Sequence, residues 1–449
     1  MKSRLVHVKN RVMDQPLVWD TLTTTFFSTV GKGVGFLVPF FIAAWFGVSS
    51  ETDAFFFAYG LVLFLSGIFA PVVEGVIVPY IAETRARGED VGRFVGNILG
   101  ISGIGLLALT GAVLLVIKPV LSVITRFDSR ALDLIYWLLI ETMPLVILLV
   151  WTSVLAGTLN ACKKFAFPAI SPAFRAIVNL SIIFIFKDAL GVHAIALGYV
   201  AGEVVRLIIL AGIITRIKLF KLGLYFQLEP KLREFFKTAS YQAMGMVAVG
   251  LNPIVDKTMA SWLGRGSVSV LYYADRLYII PVTFMTTGLM ATLLSYWSER
   301  YYNYESGYQR LNEDVKKTIK VVGVLTLSIT LLLILFHQPI VNLAFGRGAF
   351  DQEKLPEVGW VWVCYLLGFV PYMMGRVYVQ AHLTLENTKV IMRYGLYSVF
   401  LNILLNYILM IHLKIAGIAL ATTFTSLFYS SYLSRVFKKG VKRYDFHYS

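Results

Sequence analysis

Residues 94–117 read FVGNILGISGIGLLALTGAVLLVI, 24 positions without a charged side chain. A helix needs about 20 mostly apolar residues to cross the hydrocarbon of a bilayer, so this run is long enough to span. It is also far longer, and more continuously apolar, than the roughly 10-residue alternating strands of a membrane barrel. Eleven further runs repeat the pattern, at 19–47, 54–82, 131–159, 168–187, 190–215, 236–263, 267–298, 318–345, 358–384, 390–411 and 416–437. The expected fold is an all-α polytopic membrane protein with twelve transmembrane helices.

Composition supports this. Of 449 residues, 57% are hydrophobic and 15% charged. With Gly counted in place of Tyr the apolar share is roughly 60%, where soluble domains hold about 45–50% apolar and about 25% charged residues. A water-soluble core of this size cannot hide that surplus. A soluble enzyme, a nucleic-acid-binding protein and a disordered chain are excluded. The formal net charge of +15 then marks cytoplasmic loops. With the N-terminus inside, 26 Lys and Arg fall in inner loops and tails and 8 in outer loops. That bias orients membrane proteins, and it places both termini in the cytoplasm. Residues 1–18 are polar and carry no apolar leader core, so the first run is expected to be a retained span. Cys162 and Cys364 have neither disulfide-framework nor zinc spacing.

The basic connection at 216–235 divides the chain into an N-terminal six-helix lobe (1–215) and a C-terminal one (236–449). A short repeat follows the same division. Phe56-Phe57-Ala58-Tyr59-Gly60-Leu61 aligns with Tyr272-Tyr273-Ala274-Asp275-Arg276-Leu277 at an offset of 216, which also brings Glu83 onto Glu299. Trp45-Phe46-Gly47 meets Trp262-Leu263-Gly264 after one indel. Six spans per half make the halves parallel, as in transporters that alternate access around a central cavity.

Seven basic residues remain inside spans: Lys32, Arg175, Arg206, Lys237, Lys257, Arg276 and Arg376. Lys237 and Arg175 can snorkel to the inner interface. A deeper charge costs about 2.5–3.5 kcal/mol on the insertion scale and marks function by default. Acidic residues accompany them: Glu74, Glu141, Glu203, Asp256 and Asp275. Glu203 and Arg206 stand i, i+3 on one helix face, which suits a structural ion pair as well as a pathway. Asp275 and Arg276 are adjacent, about 100° apart around a helix, and are expected to satisfy each other poorly. Arg276 and Lys32 are therefore candidates to face a polar cavity and meet an anionic group, whereas Arg376 is read as structural. Asp256, Asn402, Asn406 and Thr422 fall at similar depth below the outer surface. They supply hard oxygen donors that suit a small alkali cation such as sodium, or ordinary interhelical hydrogen bonds. Gly31-Lys32-Gly33-Val34-Gly35 lacks phosphate-loop spacing and is read as helix packing or a bend. The triplet Asn179-Leu180-Ser181 is expected to be buried in a span.

Ser267-Val268-Ser269-Val270-Leu271-Tyr272-Tyr273-Ala274-Asp275-Arg276-Leu277 resembles the GSVS-x-x-YYADRL signature of the MurJ (MviN) lipid II flippase family. Asn252-Pro253-Ile254-Val255-Asp256 with Ala260-Ser261 is similar to the preceding span of that family. Gly47 with Thr52-Asp53-Ala54-Phe55-Phe56 is similar to its FGxxxxTDAFF motif, and Val78-Pro79 with Glu83 to the end of its second span. The wider group is the MOP exporter superfamily, which includes multidrug exporters. The resemblance implies two six-helix lobes around a cationic central cavity. It also implies translocation of an undecaprenyl-diphosphate-linked cell-wall or polysaccharide precursor from the inner to the outer leaflet. On it, Arg276 matches the arginine that meets the diphosphate, and Lys32 stands at the first Arg of SRVLGFxRD. Asp256, Asn402, Asn406 and Thr422 match a sodium site, with Asn406 in place of an acidic residue. Tyr272 and Tyr273 are expected to line sugar contacts, and Asp275, Asp53, Arg206 and Glu203 complete the candidate substrate-binding set. The chain departs from the family where the second Arg of the first-span motif is Val38 and the paired arginines of LPNLLRR are Ser66 and Gly67. The family's two further C-terminal spans are expected to be missing.

No catalytic arrangement stands out, so the chain is expected to be no enzyme and to need no cofactor beyond a sodium coupling ion. Its partners would be a lipid-linked oligosaccharide and membrane lipids, with no nucleic acid, and it would act as a monomer in a bacterial cytoplasmic membrane. A cation-coupled multidrug exporter is the alternative, although it wants an acidic aromatic cavity. A membrane glycan polymerase or ligase would need a long catalytic outer loop, and the longest outer loop is about 13 residues on the spans given above.

Overall fold

The computed structural model describes residues 26–302, 307–385 and 387–448. The basic cluster Lys2, Arg4, Lys9 and Arg11, the leaderless segment 1–18 and the start of the first expected span (19–25) lie outside the described residues. Among the described residues there is no strand. The helices are α1 (Phe26–Phe46), α2 (Ser50–Ala86), α3 (Val91–Ile124), α4 (Ser129–Thr142), α5 (Pro144–Ala161), α6 (Ala166–Leu190) and α7 (His193–Arg216). They continue with α8 (Pro230–Ala260), α9 (Ser267–Tyr302), α10 (Gly307–Leu335), α11 (His337–Phe345), α12 (Leu355–Leu367), α13 (Phe369–Thr384) and α14 (Thr388–Tyr448).

Among the described residues every expected run falls on helix, although three are broken. Residues 131–159 are divided at Met143, where the following Pro144 cannot donate to the helical ladder. Residues 318–345 divide at Phe336, and 358–384 at Gly368. The last two runs are one helix interrupted at Lys414, whose φ of 50° is left-handed and cannot continue a right-handed helix. Among the described residues, nine helical stretches are long and apolar enough to cross a membrane. α8 and α9 carry the in-span charges Asp256, Lys257, Asp275 and Arg276. The outward-facing side chains are those of a protein solvated by lipid: Leu115, Val123, Leu335 and Phe400 are all largely exposed. So much exposed apolar surface is unlike a soluble monomer.

Packing groups the chain into two units. The first holds the described residues up to Phe41 together with Leu61–Lys118 and Tyr136–Met244. Within it α6 and α7 form a close hairpin. Gly198 and Gly202 admit the Asn179 and Arg175 carbonyls at distances that a Cβ would reduce to 2.8 and 2.6 Å. Gly31 lies likewise against the Ala169 carbonyl, whereas Gly33 and Gly35 have open space beside them. Asn179 is buried on α6.

The chain leaving α7 runs extended along α3. Gly92, Gly96 and Gly100 stand i, i+4, i+8 on one face of that helix, and a Cβ on them would meet the carbonyls of Lys221, Gly223 and Tyr225 at 2.4, 2.3 and 2.1 Å. This stripe is the floor on which the strap lies. Tyr225 N donates to Gly96 O (3.1 Å) and Gln227 N to Asn97 Oδ1 (2.8 Å). Arg93 reaches Gln227 and Glu229, and Lys231 bonds Glu89 at 2.8 Å. The Lys231 ammonium beside Glu89 holds that carboxyl below its ordinary range.

The second unit holds Ile42–Gly60, Pro119–Ile135 and the chain from Gly245 onward. Its core gathers Trp297, Phe369, Met373, Val377, Leu433 and Phe437 from α9, α13 and α14. The turn before α2 is closed by a reciprocal cap, Thr52 N to Ser49 Oγ (3.1 Å) and Ser49 N to Thr52 Oγ1 (2.9 Å). Gly47 (φ 61°) lies against the Ala349 carbonyl, and Ala349 N donates to Ala44 O at 2.7 Å.

Candidate functional site

The start of α9 positions most of the signature residues in the second unit. Gly266, at φ 83°, turns the chain into the helix in a conformation that favours glycine. Its N–H donates to Asp53 Oδ2 at 2.6 Å, while Ser269 N (2.7 Å) and Ser269 Oγ (2.6 Å) donate to Asp53 Oδ1. Asp53 is only 2% exposed. It is a helix cap supplied from α2: a carboxylate takes up the orphan donors and the positive end of the dipole at the α9 N-terminus. With three donors already on it, Asp53 is not placed to receive an anionic guest.

One turn further on, Tyr272 and Tyr273 are both buried. Tyr273 Oη donates to Gly47 O at 3.0 Å, and its ring packs with Phe345 and Phe350. Core packing by Phe345 and Phe350 encloses the Tyr273 ring and leaves no face of it for the expected sugar contact. Tyr272 stacks on Phe56 with centroids 3.8 Å apart. It also carries the Arg276 guanidinium 4.8 Å from its ring centre.

Arg276 corrects a second expectation. Its Nη2 donates to Asp275 Oδ2 at 2.7 Å, so the two neighbours do satisfy each other in part. The long arginine stem bridges the angular separation that their Cβ atoms set. Arg276 Nε remains buried without a hydrogen-bond partner. The Asp275 and Arg276 side chains are 33% and 28% exposed, so this ion pair can still be reached. Sequence reasoning missed a neighbour. Lys257 on α8 places Nζ 5.6 Å from the same Tyr272 ring and donates to Phe56 O at 3.0 Å. The available signal was its presence among the in-span cations, one residue after Asp256.

The four hard oxygen donors come together. Asn406 Nδ2 donates to Asp256 Oδ1 (2.7 Å) and to Asn402 Oδ1 (3.1 Å), and Thr422 Oγ1 donates to Asp256 Oδ2 (3.3 Å). Asp256, Asn402 and Asn406 are buried, and Asn406 Oδ1 has no partner. The arrangement serves as an interhelical hydrogen-bond cluster, and it also holds an unused buried acceptor. Among the described residues no group of three or more His, Cys, Asp or Glu could hold a metal.

In the first unit Glu203 is fully buried between two cations. Arg206 Nη1 lies 3.0 Å from Oε1 and Arg175 Nη1 3.3 Å from Oε2, while Thr152 Oγ1 donates at 2.6 Å. Arg206 Nε also donates to Ser171 Oγ at 3.0 Å. Glu203 and Arg206 are thus committed to each other, and Arg175 turns inward to join them. Lys32 is exposed in the first third of α1. Arg376 on α13 has a buried Nε without a hydrogen-bond partner.

The family model described as lipid II flippase MurJ matches residues 42–448. A probable lipid II flippase MurJ of Buchnera aphidicola (subsp. Acyrthosiphon pisum, strain APS) is 25% identical over 436 residues, covering 92% of this chain and 81% of that protein. The probable lipid II flippase MurJ of Rickettsia prowazekii (strain Madrid E) is 22% identical over 430 residues, covering 94% and 83%. Among solved structures, lipid II flippase MurJ in an inward closed conformation aligns with TM-score 0.78 at 23% identity, over 94% of this chain and 87% of that one. An inward-facing multidrug resistance MATE transporter of the MOP superfamily aligns with TM-score 0.79 at 13% identity, over 93% and 95%. The last two likenesses establish a shared fold of polytopic helices.

Proposed function

The chain belongs to the lipid II flippase MurJ family, and from that membership we propose that it carries lipid II, an undecaprenyl-diphosphate-linked cell-wall precursor, from the inner to the outer leaflet by alternating access. The family is one of multi-pass bacterial inner-membrane transporters, not enzymes. A diphosphate headgroup entering hydrocarbon unaided pays a large desolvation penalty. A cation held within the membrane's thickness lowers that barrier while the prenyl tail stays in lipid.

The observation that carries the reading is Arg276. It is an in-span guanidinium fixed over the Tyr272 ring, with one face on Asp275 and a buried Nε left for another acceptor. Guanidinium–phosphate hydrogen bonds are charge-assisted and bidentate, about twice as strong as neutral ones. The multidrug alternative shares the fold but wants acidic groups for organic cations, the opposite of what Arg276 offers. In this reading both termini are cytoplasmic, as the loop charges favour.

Sodium belongs to the same proposal. Asp256, Asn402, Asn406 and Thr422 would hold it, and the unpartnered Asn406 Oδ1 supports the fit. When bound, the ion would supply a local positive charge that balances the Asp256 carboxylate.

The test is Arg276→Gln in a strain depleted of its own lipid II flippase, at normal protein level in the membrane. The variant is expected not to support growth and to lose lipid II transport in proteoliposomes. Wild-type activity in both assays would remove Arg276 from the mechanism.

A further inference from the structure

We infer that Lys257 is a second ligand for the diphosphate, forming with Arg276 a two-cation site around the Tyr272 ring. The inference rests on the flippase reading above and assigns a residue to it.

Lys257 and Arg276 come from different helices, α8 and α9, and converge on one aromatic ring with charge centres 5.6 and 4.8 Å from its centroid. A ring face attracts one cation. Two cations at the same ring also repel each other, and in surroundings of low dielectric that repulsion is strong. Among the described residues neither nearby carboxylate forms a direct ion pair with Lys257. Asp275 is bonded to Arg276 at 2.7 Å. Asp256, although adjacent in sequence, is turned to Asn406 and Thr422. Among the described residues the hydrogen bond that Lys257 makes is to a neutral acceptor, the Phe56 carbonyl at 3.0 Å. An ammonium has three N–H donors, so two are left over.

The site is shaped to admit this head group. Gly60 stands one turn after Phe56 on α2, and a Cβ there would come within 2.4 Å of Lys257 Nζ. Glycine leaves the space that the ammonium fills. A lysine whose only task was to fasten α2 would be served equally by an uncharged donor, and would not need to stand beside a guanidinium. An anion with oxygens on two phosphorus atoms answers both cations at once. Its charged oxygens outcompete the peptide carbonyl for the ammonium. The resting bond to Phe56 is the contact that the guest displaces.

The test uses the full chain purified in detergent and inorganic pyrophosphate as the probe, with orthophosphate for comparison. Pyrophosphate should bind the wild type more tightly than orthophosphate does. Lys257→Gln, which can still donate to Phe56 O, should weaken pyrophosphate at least about tenfold, or about 1.4 kcal/mol. Lys257→Arg should stay within about threefold. On the wild-type chain, pyrophosphate should also slow acylation of Lys257, read by mass spectrometry; this holds the test open if the glutamine variant folds poorly. Unchanged pyrophosphate affinity in Lys257→Gln, or unprotected Lys257, would overturn the assignment, and the flippase reading would survive if lipid II still moved. Conversely, wild-type proteoliposomes that move no lipid II, while pyrophosphate binding still depends on Lys257, would support the cation pair and sink the flippase reading.

Discussion

Replacing Asp53 by Ala should loosen the start of α9 by an amount that its geometry sets. Its carboxylate accepts from Gly266 N, Ser269 N and Ser269 Oγ at 2.6–2.7 Å, and Gly266 and Ser269 are buried. The Ser269 hydroxyl has a second partner in Thr52 Oγ1 at 2.9 Å, so it is not orphaned. The two backbone N–H groups have no substitute. Each buried donor left unmade costs about 1–3 kcal/mol, and loss of an N-cap alone typically costs about 1 kcal/mol. A local loss of about 3 kcal/mol lies in the lower half of the roughly 2–6 kcal/mol that two such donors span, and at about 1.4 kcal/mol per decade it corresponds to a roughly 100-fold rise in the open population. Hydrogen exchange followed by mass spectrometry reads this directly, because amides in a region exchange according to the free energy of its local opening. Peptides covering residues 264–271 should exchange about 100-fold faster in Asp53→Ala. Asp53→Asn, which keeps one acceptor, should fall between it and the wild type, and peptides from α6 and α7 should not change. Exchange within about threefold of wild type at residues 264–271 would show that the carboxylate is not the cap.

Three further outcomes follow from the other clusters. Glu203→Gln leaves Arg206 and Arg175 facing each other without their carboxylate, a break that costs about 3–5 kcal/mol in a buried pair. Its melting temperature in detergent should fall clearly, and Glu203→Leu combined with Arg206→Leu should regain part of the loss. Gly96→Ala would drive a Cβ into the Gly223 carbonyl. Trypsin should therefore cut at Lys218 and Lys221 about tenfold faster than in the wild type, whereas Gly105→Ala, which has open space beside it, should cut at the wild-type rate. If the Asp256 cluster takes sodium, replacing potassium by sodium should raise the melting temperature of the wild type. Asp256→Asn should abolish the sodium-dependent part; an undiminished sodium effect in that variant would move the ion elsewhere.

The helices were legible because their signal is local and long. An uncharged run such as 94–117 has few other places to go, and it is found inside α3. The breaks within runs were less so. Proline stands near each, at Pro144 and, three residues past Phe336 and Gly368, at Pro339 and Pro371, yet Pro71, Pro79 and Pro281 lie inside helices that continue, so proline alone does not tell a break from a tolerated position. The oxygen cluster was legible by depth: Asp256, Asn402, Asn406 and Thr422 sit at similar distances from their span ends, and polar groups at one depth tend to meet. Asp53 was misjudged because its partners, Gly266 and Ser269, are 213 and 216 positions away. Nothing near Asp53 announces a helix N-terminus to be capped. At Arg276 the Cβ direction was known, but the flexible reach of the side chain was not.

Lipid offers no water to finish a hydrogen bond, so an in-span charge has to be answered by the protein or by something it carries. Glu203 shows the first case. Two guanidiniums, a carboxylate and two hydroxyls meet within 2.6–3.3 Å, so each charge has its partner in the protein. The start of α9 shows the second. Asp275 answers part of Arg276, a peptide carbonyl answers one donor of Lys257, and both positive groups lean on a single tyrosine ring. A purely structural role would have been met more cheaply by a second carboxylate or by an apolar side chain at position 257. Keeping two cations at one ring makes sense if phosphate oxygens arrive with the cargo, and that is why the two clusters should respond differently to one reagent. Pyrophosphate should stabilise the wild-type chain through the cations at Tyr272, and Glu203→Gln should lower the starting stability without removing that gain.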